Sequence, residues 1–416
     1  MAKKKTKRKS TKRKTTRRKS SRKKGGLSSF LKSLKQTQQQ LTRTLSVLIT
    51  VVVIVLAGYY AVTGADPLGI FSKIAPSAGP TAVGSGGDWW QVYFTNPKAA
   101  SDPNNLKGSI PEKLIDRINQ AQRTIHIAAF EFNLTPVAEA LIAAQERGVT
   151  VQWVTDDEHG LGADHEADHG QFALLQAAGI EVKDDDRSAL MHNKFWIFDE
   201  QVVWTGSTNI TVNGNFRNNN NVLVLESPAV AAIYEREFAE LWRGEFGPTS
   251  PSTVAEQTAT VEGTPIQILF AAEDEVASQL VPLLNNAQQS IHFMAFAFTH
   301  DALGTAIQDR FQAGVEVKGI FEVRGSETEY SELPQQFCAG MAVRQDGNPQ
   351  TFHHKVFIVD NQTVVTGSFN FSDNADESND ENVVIITHRD IAAEYQKEFE
   401  RRWQEATELD PAEINC

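Results

Sequence analysis

Cysteine is nearly absent. Cys338 and Cys416 are the only two in 416 residues, which excludes a cysteine-rich zinc module and a disulfide framework and leaves room for one bridge or none. Acidic residues are missing from the start of the chain, the first being Asp66, while residues 1–43 carry 18 of the 40 Lys and Arg. The rest of the chain therefore sets 22 basic groups against 52 acidic ones, so the net charge of −12 averages a basic tail and a strongly acidic body. No base-reading nucleic-acid motif accompanies that tail. Residues 1–24 interleave the basic groups with Ser and Thr, a composition that cannot bury a core. Residues 1–44 are accordingly expected to be a disordered basic tail.

Charge of either sign is missing between Arg43 and Asp66, and within that gap Leu45–Val62 is almost wholly apolar. At about 1.5 Å per residue such a run spans about 27 Å, close to the hydrocarbon thickness of a bilayer. The alternatives are a buried soluble helix and a signal peptide cleaved near Thr63-Gly64-Ala65. A transmembrane signal-anchor over residues 45–63 fits the length best, with Tyr59 and Tyr60 at one interface. The positive-inside rule then predicts a single-pass protein of the cell membrane. Its N-terminus is expected in the cytoplasm against anionic inner-leaflet lipids, and its acidic body on the other side. Residues 64–87, rich in Gly, Pro, Ala and Ser, read as a linker.

The body contains an internal repeat. Ala121–Phe132, AQRTIHIAAFEF, returns as Ala287–Phe298, AQQSIHFMAFAF. Each copy runs from a strand into a helix and on to a β-branched strand, RGVTVQWV at 147–154 and AGVEVKGI at 313–320. Each closes with an amphipathic helix, Val230–Trp242 and Ile391–Trp403. Alternating strands and helices predict an α/β fold in two domains, residues 88–247 and 263–416, joined by a linker over 248–262. The length is ample for two such cores.

Within each copy the same polar set recurs at the same spacing. The first reads His192-x-Lys194, Asp199, Gly206-Ser207-x-Asn209, and the second His353-x-Lys355, Asp360, Gly367-Ser368-x-Asn370. Six fixed residue types at fixed spacing arise by chance about once in 10⁷ to 10⁸ starts, so two copies in register with an independent repeat are not accidental. Lys194–Phe198 and Lys355–Val359 read as buried strands, which puts His and Lys on one strand face. A hairpin return brings the Gly-Ser-x-Asn turn back towards them. Paired histidines, lysines and asparagines suit phosphodiester chemistry by positioning and charge stabilisation. Asp156, Asp157, Glu158, His159, Asp164, His165, Glu166, Asp168 and His169 have the types of metal ligands, but their spacing fits no metal motif. They read as a solvated loop on the rim of the substrate entrance. His126, His292 and His354 read as structural or bystanders.

At these residues the sequence resembles the phospholipase D superfamily, whose hallmark is a duplicated HxKxxxxD motif followed by a Gly-Ser turn and Asn. The resemblance implies two αβα sandwich halves related by a pseudo-twofold, one site at their interface, no metal and no other cofactor. It implies a two-step reaction in which one His attacks phosphorus and the other protonates the leaving alcohol and then activates water. The catalytic set it gives is His192, Lys194, Asp199, Asn209, His353, Lys355, Asp360, Asn370 and Glu381, with Asp199 and Asp360 fixing strand and turn. Ser207, Ser368 and Asn220 are expected to contact substrate. Copy two has Glu381 where copy one has Asn220, and in the family this Glu hydrogen-bonds the His of its own motif. That assigns His353 as general acid and His192 as nucleophile.

A monomer is expected, since both motifs lie in one chain. The substrate is expected to be a phospholipid at a membrane, hydrolysed to phosphatidate, because an acidic body repels a polyanion. A metal-independent endonuclease acting on nucleic acid, a cardiolipin synthase-like transphosphatidylase and an inactive phosphoryl-binding protein are the alternatives. Phe293–Ile307, FMAFAFTHDALGTAI, resembles the small nuclease-type members.

Overall fold

A computed structural model describes residues 82–98, 102–412, 414 and 416. The basic tail 1–44, the apolar segment 45–63 and the linker up to residue 81 lie outside them. Among the described residues no helix is long and apolar enough to cross a membrane. The single-pass cell-membrane placement expected from the sequence is corrected on that finding. The two longest described helices, Pro228–Arg243 and Arg389–Glu405, each bury one face and leave charged residues on the other.

Two mixed sheets organise the described chain. The first contains β1 (Ala82–Gly86), β2 (Trp90–Thr95), β3 (Thr124–Ala129), β4 (Thr150–Val154), β5 (Glu181–Lys183), β6 (Lys194–Phe198), β7 (Val202–Gly206) and β8 (Asn221–Glu226), in the order β1-β2-β8-β7-β6-β3-β4-β5. The second contains β9 (Thr258–Val261), β10 (Thr264–Ala271), β11 (Ser290–Ala295), β12 (Glu316–Phe321), β13 (Ala342–Gln345), β14 (Lys355–Val359), β15 (Thr363–Gly367), β16 (Glu381–Thr387) and β17 (Thr407–Glu408). Its order is β17-β13-β12-β11-β14-β15-β16-β10-β9. Read in reverse, β10 to β13 match β2 to β5 strand for strand. In both sheets the strand–helix–strand unit is parallel (β3 with β4, β11 with β12), and the motif hairpins β6–β7 and β14–β15 are antiparallel.

The helices follow from capping and amphipathicity. Helix α1 (Ile110–Gln120) starts at Ser109, whose hydroxyl accepts the Glu112 amide, with Pro111 in its first turn. Helix α2 (Thr135–Glu146) buries Leu141, and both pack on the outer face of the first sheet. Pro228–Arg243, here α3, is capped by Ser227 and stopped by Gly244 in the left-handed region. Arg389–Glu405, here α4, is its counterpart. The core between the sheets draws on both halves: Phe195, Ile197 and Leu223 from the first, Phe270, Val356 and Ile358 from the second, with Tyr234 of α3 and Tyr395 of α4.

Single bridges tie the halves at the site. Met191 pairs with Asp380, and Asn219 with Phe352. In the repeat, 191 corresponds to 352 and 219 to 380, so the two contacts are reciprocal, the pattern of a self-complementary pairing. Both expected linkers are shorter than read from sequence. Residues 82–86 form β1 and residues 258–261 form β9, each an added edge strand. Their Gly, Ser, Thr and Ala content conceals the apolar alternation that would mark a strand. Cys338 and Cys416 form a disulfide.

Candidate active site

The motif strands carry their first residues to the junction of the halves. Lys194 opens β6 and Lys355 opens β14, and each histidine sits two residues upstream on a segment pinned to the other half. The His192 amide donates to the Asp380 carbonyl and the His353 amide to the Asn219 carbonyl, each at 2.9 Å. Each lysine Nζ donates to the carbonyl of its own motif histidine, at 2.9 and 3.0 Å, and lies over Phe130 or Phe296. The same two rings pack on His192 and His353. At the return turn Gly206 and Gly367 have positive φ, and a Cβ on either would run into the backbone carbonyl of Asn221 or Asn382. Only glycine lets the turn approach the site so closely.

The imidazoles are held crosswise, which corrects the expected pairing. His192 Nδ1 lies 2.8 Å from both carboxylate oxygens of Glu381, a residue of the other half. His353 Nδ1 lies 2.9 Å from Asn220 Oδ1 and 3.0 Å from the Ser207 carbonyl, both in the first half. Glu381 therefore serves His192 and not the histidine of its own motif, because β16 delivers it across the junction. In both rings the partners are acceptors, which assigns the proton to Nδ1 and leaves Nε2 for chemistry. Ser207 and Asn220 are expected to contact substrate, as is Ser368, yet all three are fully buried behind the imidazoles. The Ser207 hydroxyl donates to Asn220 Oδ1 at 2.8 Å, and the Ser368 hydroxyl accepts the backbone amide of Asn382 at 2.9 Å and its Nδ2 at 3.3 Å, next to Glu381. They are positioning residues.

The residues between His and Lys are linked crosswise too. Asn382 Nδ2 donates to Asn193 Oδ1 at 3.0 Å, and Asn221 Nδ2 contacts His354 Nδ1 at 3.1 Å. His354 is thus a buried joint between the halves and not a bystander. His126 stacks on Phe238 and pairs with Glu235, and His292 stacks on Phe399 and pairs with Gln396 and Glu316, both away from the motif residues.

Asp199 and Asp360 are not brought to the site. They follow the far ends of β6 and β14, about 16 Å from the lysines at ~3.3 Å per residue. Each carboxylate accepts three successive backbone amides: Gln122, Arg123 and Thr124, or Gln288, Gln289 and Ser290. Asn209 does reach the cavity, where its Nδ2 donates to Glu131 at 2.8 Å. Asn370 keeps a buried Oδ1 without a partner among the described residues. Glu131 itself was missed, although the departure of Phe130-Glu131-Phe132 from Phe296-Ala297-Phe298 was a readable signal.

Burial depresses both imidazoles well below their ordinary pKa, and the two lysines add to the effect. Burial also brings Lys194 down to about 8, against the pull of Glu381, Glu131 and Asp156, and lowers Lys355 well below its usual range with Lys194 beside it. The Glu381 carboxyl is pushed up to about 8 by burial, against the pull of the lysines. Burial thus works against charge on each of these groups, and the negative charge of a phosphodiester between the lysines would favour their ionised form.

The acidic, histidine-rich loop lines the entrance: Glu158, His159, Glu166 and His169 face a cavity of about 390 Å³ that reaches His353. Deeper in the loop, Asp156, Asp157 and Asp185 lie close enough to share a cation. The oxygens of Asp156 accept the amides of Glu158, His159 and Met191. Asp185 accepts the Asp157 amide and the Arg187 guanidinium. These carboxylates are committed to fastening the loop to the motif segment and do not form a fitting donor set.

Residues 114–242 and 280–403 match the family model described as cardiolipin synthase, PLD-like domain. The chain belongs to the phospholipase D superfamily. Its superfamily relatives include mitochondrial cardiolipin hydrolase of Xenopus tropicalis, 33% identical over 153 residues, or 37% of this chain and 70% of the relative. Another is phospholipase D of Rickettsia prowazekii (strain Madrid E), 33% identical over 124 residues, or 30% of this chain and 60% of the relative. The crystal structure of phosphatidylserine synthase from Haemophilus influenzae Rd KW20 matches with a TM-score of 0.58 over 82% of this chain and 92% of that one, at 14% identity, a likeness of fold. As a superfamily member the chain is a phosphodiesterase of the phospholipase D type.

Proposed function

We propose that the enzyme hydrolyses the head-group phosphodiester of phospholipids to phosphatidate through a phosphohistidine on His192. The crosswise pairing removes the reason the sequence offered for these roles, a carboxylate beside His353; what carries them instead is that Glu381, behind His192, can balance the charge of a phosphohistidine on that ring, while His353 has only a neutral partner. In the first step His192 Nε2 attacks phosphorus. The phosphorus–nitrogen bond forms as the bond to the head-group oxygen breaks, and that oxygen takes the Nε2 proton of His353, which enters this step doubly protonated, a form that the anionic phosphodiester beside it favours. Glu381 balances the positive charge that develops on the His192 ring. Lys194, Lys355, Asn209 and Asn370 stabilise the charge on the non-bridging oxygens. In the second step His353 accepts a proton from water, the hydroxide attacks phosphorus, and the phosphorus–nitrogen bond breaks to release phosphatidate.

Lipid is favoured over nucleic acid by charge. Beyond the basic tail the chain sets 22 basic residues against 52 acidic ones, which repels a polyanion at long range. The names of the relatives, cardiolipin hydrolase and phospholipase D, agree with a lipid substrate. With both motifs in one chain a monomer suffices.

The test offers the full chain mixed phospholipid micelles and plasmid DNA in parallel, with His192→Ala and His353→Ala as controls. Phosphatidate released by wild type alone, with DNA left intact and a phosphatidyl adduct mapped to His192 after rapid quench, is the expected result. Nicking of DNA without phosphatidate overturns the lipid reading in favour of a nuclease, and an adduct on His353 reverses the two roles.

A further inference from the structure

The cavity leading away from the motif histidines is walled by charge of one sign. Its lining includes Glu131, Glu158 and Glu166, interspersed with neutral amides and the imidazoles of His159 and His169, and includes no Lys or Arg among the described residues. His353 is part of the wall, while His192 is not. His353 is only 9% exposed, its Nδ1 is committed to Ser207 and Asn220, and its Nε2 has no protein partner among the described residues. The two motif lysines stay outside the wall, each bonded to the carbonyl of its motif histidine. Cations therefore gather at the reacting phosphorus, and carboxylates line the space beyond the residue that protonates the leaving group.

Duplication does not explain this wall. In the second half Ala297 stands in place of Glu131, and the recess beside it, about 30 Å³, is lined by Arg324 and Gly325. Its one acid, Glu322, is only 4% exposed and accepts the Phe352 amide. The carboxylates at the mouth belong to the first half alone, so the site treats the two sides of the phosphodiester differently. An ammonium group in the first-half cavity faces three carboxylates, whereas a second phosphate there meets like charge.

We infer that this cavity receives a cationic amino alcohol as leaving group, so that the enzyme selects phospholipids with choline or ethanolamine head groups over phosphatidylglycerol and cardiolipin. Glycerol brings no charge to the cavity, and the leaving group of cardiolipin brings a phosphate. The inference rests on the reading of the site as a phospholipid hydrolase with His353 facing the leaving oxygen. It departs from the substrate in the name of the cardiolipin hydrolase relatives.

The test measures phosphatidate release by the full chain from micelles of phosphatidylcholine, phosphatidylethanolamine, phosphatidylglycerol or cardiolipin, for wild type and for Glu158→Gln combined with Glu166→Gln. The expected result is a kcat/KM about tenfold or more higher for the two cationic head groups, with the choline-to-glycerol ratio falling about tenfold in the double variant, chiefly through KM. Because the readout is a ratio of substrates on one preparation, a lower folded yield does not move it. A preference for phosphatidylglycerol or cardiolipin, or a ratio unmoved by the double variant, overturns the inference and leaves lipid hydrolysis standing. Phosphatidate from none of the four overturns both.

Discussion

Glu381 and Asn220 occupy matching positions and do different work. Glu381 places a carboxylate 2.8 Å behind the Nδ1 of His192, and Asn220 places a neutral amide oxygen 2.9 Å behind that of His353. A phosphohistidine carries positive charge on its ring, and only the Glu381 side supplies a counter-charge. Glu381→Gln keeps an acceptor and removes that charge, so kcat is expected to fall about 10²-fold or more with KM little changed, as measured by steady-state phosphatidate release. An equal fall for Asn220→Ala would place both partners in a purely steric role. The reactive residues were legible in the sequence because His192, Lys194 and Asn209 recur as His353, Lys355 and Asn370 at one spacing. The pairing was not, because Glu381 is 189 residues from His192 in sequence and meets it only where the two halves face each other. The buried serines misled for a related reason: expected at the substrate, they face backwards instead, Ser207 onto Asn220, the partner of His353, and Ser368 onto Asn382, the neighbour of Glu381.

The motif hairpins show what an element demands of its sequence. Asp199 and Glu200, like Asp360 and Asn361, have positive φ at the tips of β6–β7 and β14–β15, a conformation that Asp and Asn tolerate better than most residues. The Asp199 carboxylate then gathers the amides of Gln122, Arg123 and Thr124 where β3 begins. Burial raises and three backbone amides lower the Asp360 carboxyl, with the net shift below its ordinary value. The aspartate of the motif thus locks the hairpin to the neighbouring strand at the end remote from the chemistry. Asp199→Ala is expected to lower stability by about 1–3 kcal/mol in denaturant unfolding while the folded fraction keeps its specific activity. Loss of activity without loss of stability would instead return Asp199 to the reacting groups. Strands buried on both faces, such as β6 with Phe195, Trp196 and Ile197, were readable from their apolar runs, as were the closing helices from their period. Edge strands β1 and β9 were not, since an edge pairs on one side only and needs no apolar alternation to hold it.

At the scale of the whole molecule, the feature with the widest consequence is the set of buried acids where the halves meet. Burial raises Glu273 to about 9, Asp346 to about 7 and Asp380 to about 7, the last against the pull of Arg187, and it holds Glu237 well above the usual carboxylate range. A carboxyl whose folded pKa exceeds its unfolded one binds its proton more tightly in the folded chain. Its contribution to stability is complete below the unfolded value near 4 and is lost as pH rises through the folded value. Glu398 runs the other way: despite burial, His354 and Arg402 bring it down to about 2, so its contribution is present above its unfolded pKa and lost as pH falls towards 2. The Glu398 contribution changes only below its unfolded value of about 4, so above that the raised acids set the trend among the carboxyls. Mutual repulsion within the acidic body also grows with pH, in the same direction. The depressed imidazoles His192, His353 and His354 oppose this trend only up to about pH 7, and above that the raised acids outnumber the depressed Lys194 and Lys355. The thermal midpoint is therefore expected to fall between about pH 7 and pH 8.5, and Glu273→Gln is expected to flatten the fall by removing one of the acids that must ionise. A midpoint that rises over that interval would mean that these acids are ionised in the folded protein and compensated by charge, and that the junction of the halves is held by ion pairs such as Arg187–Asp380.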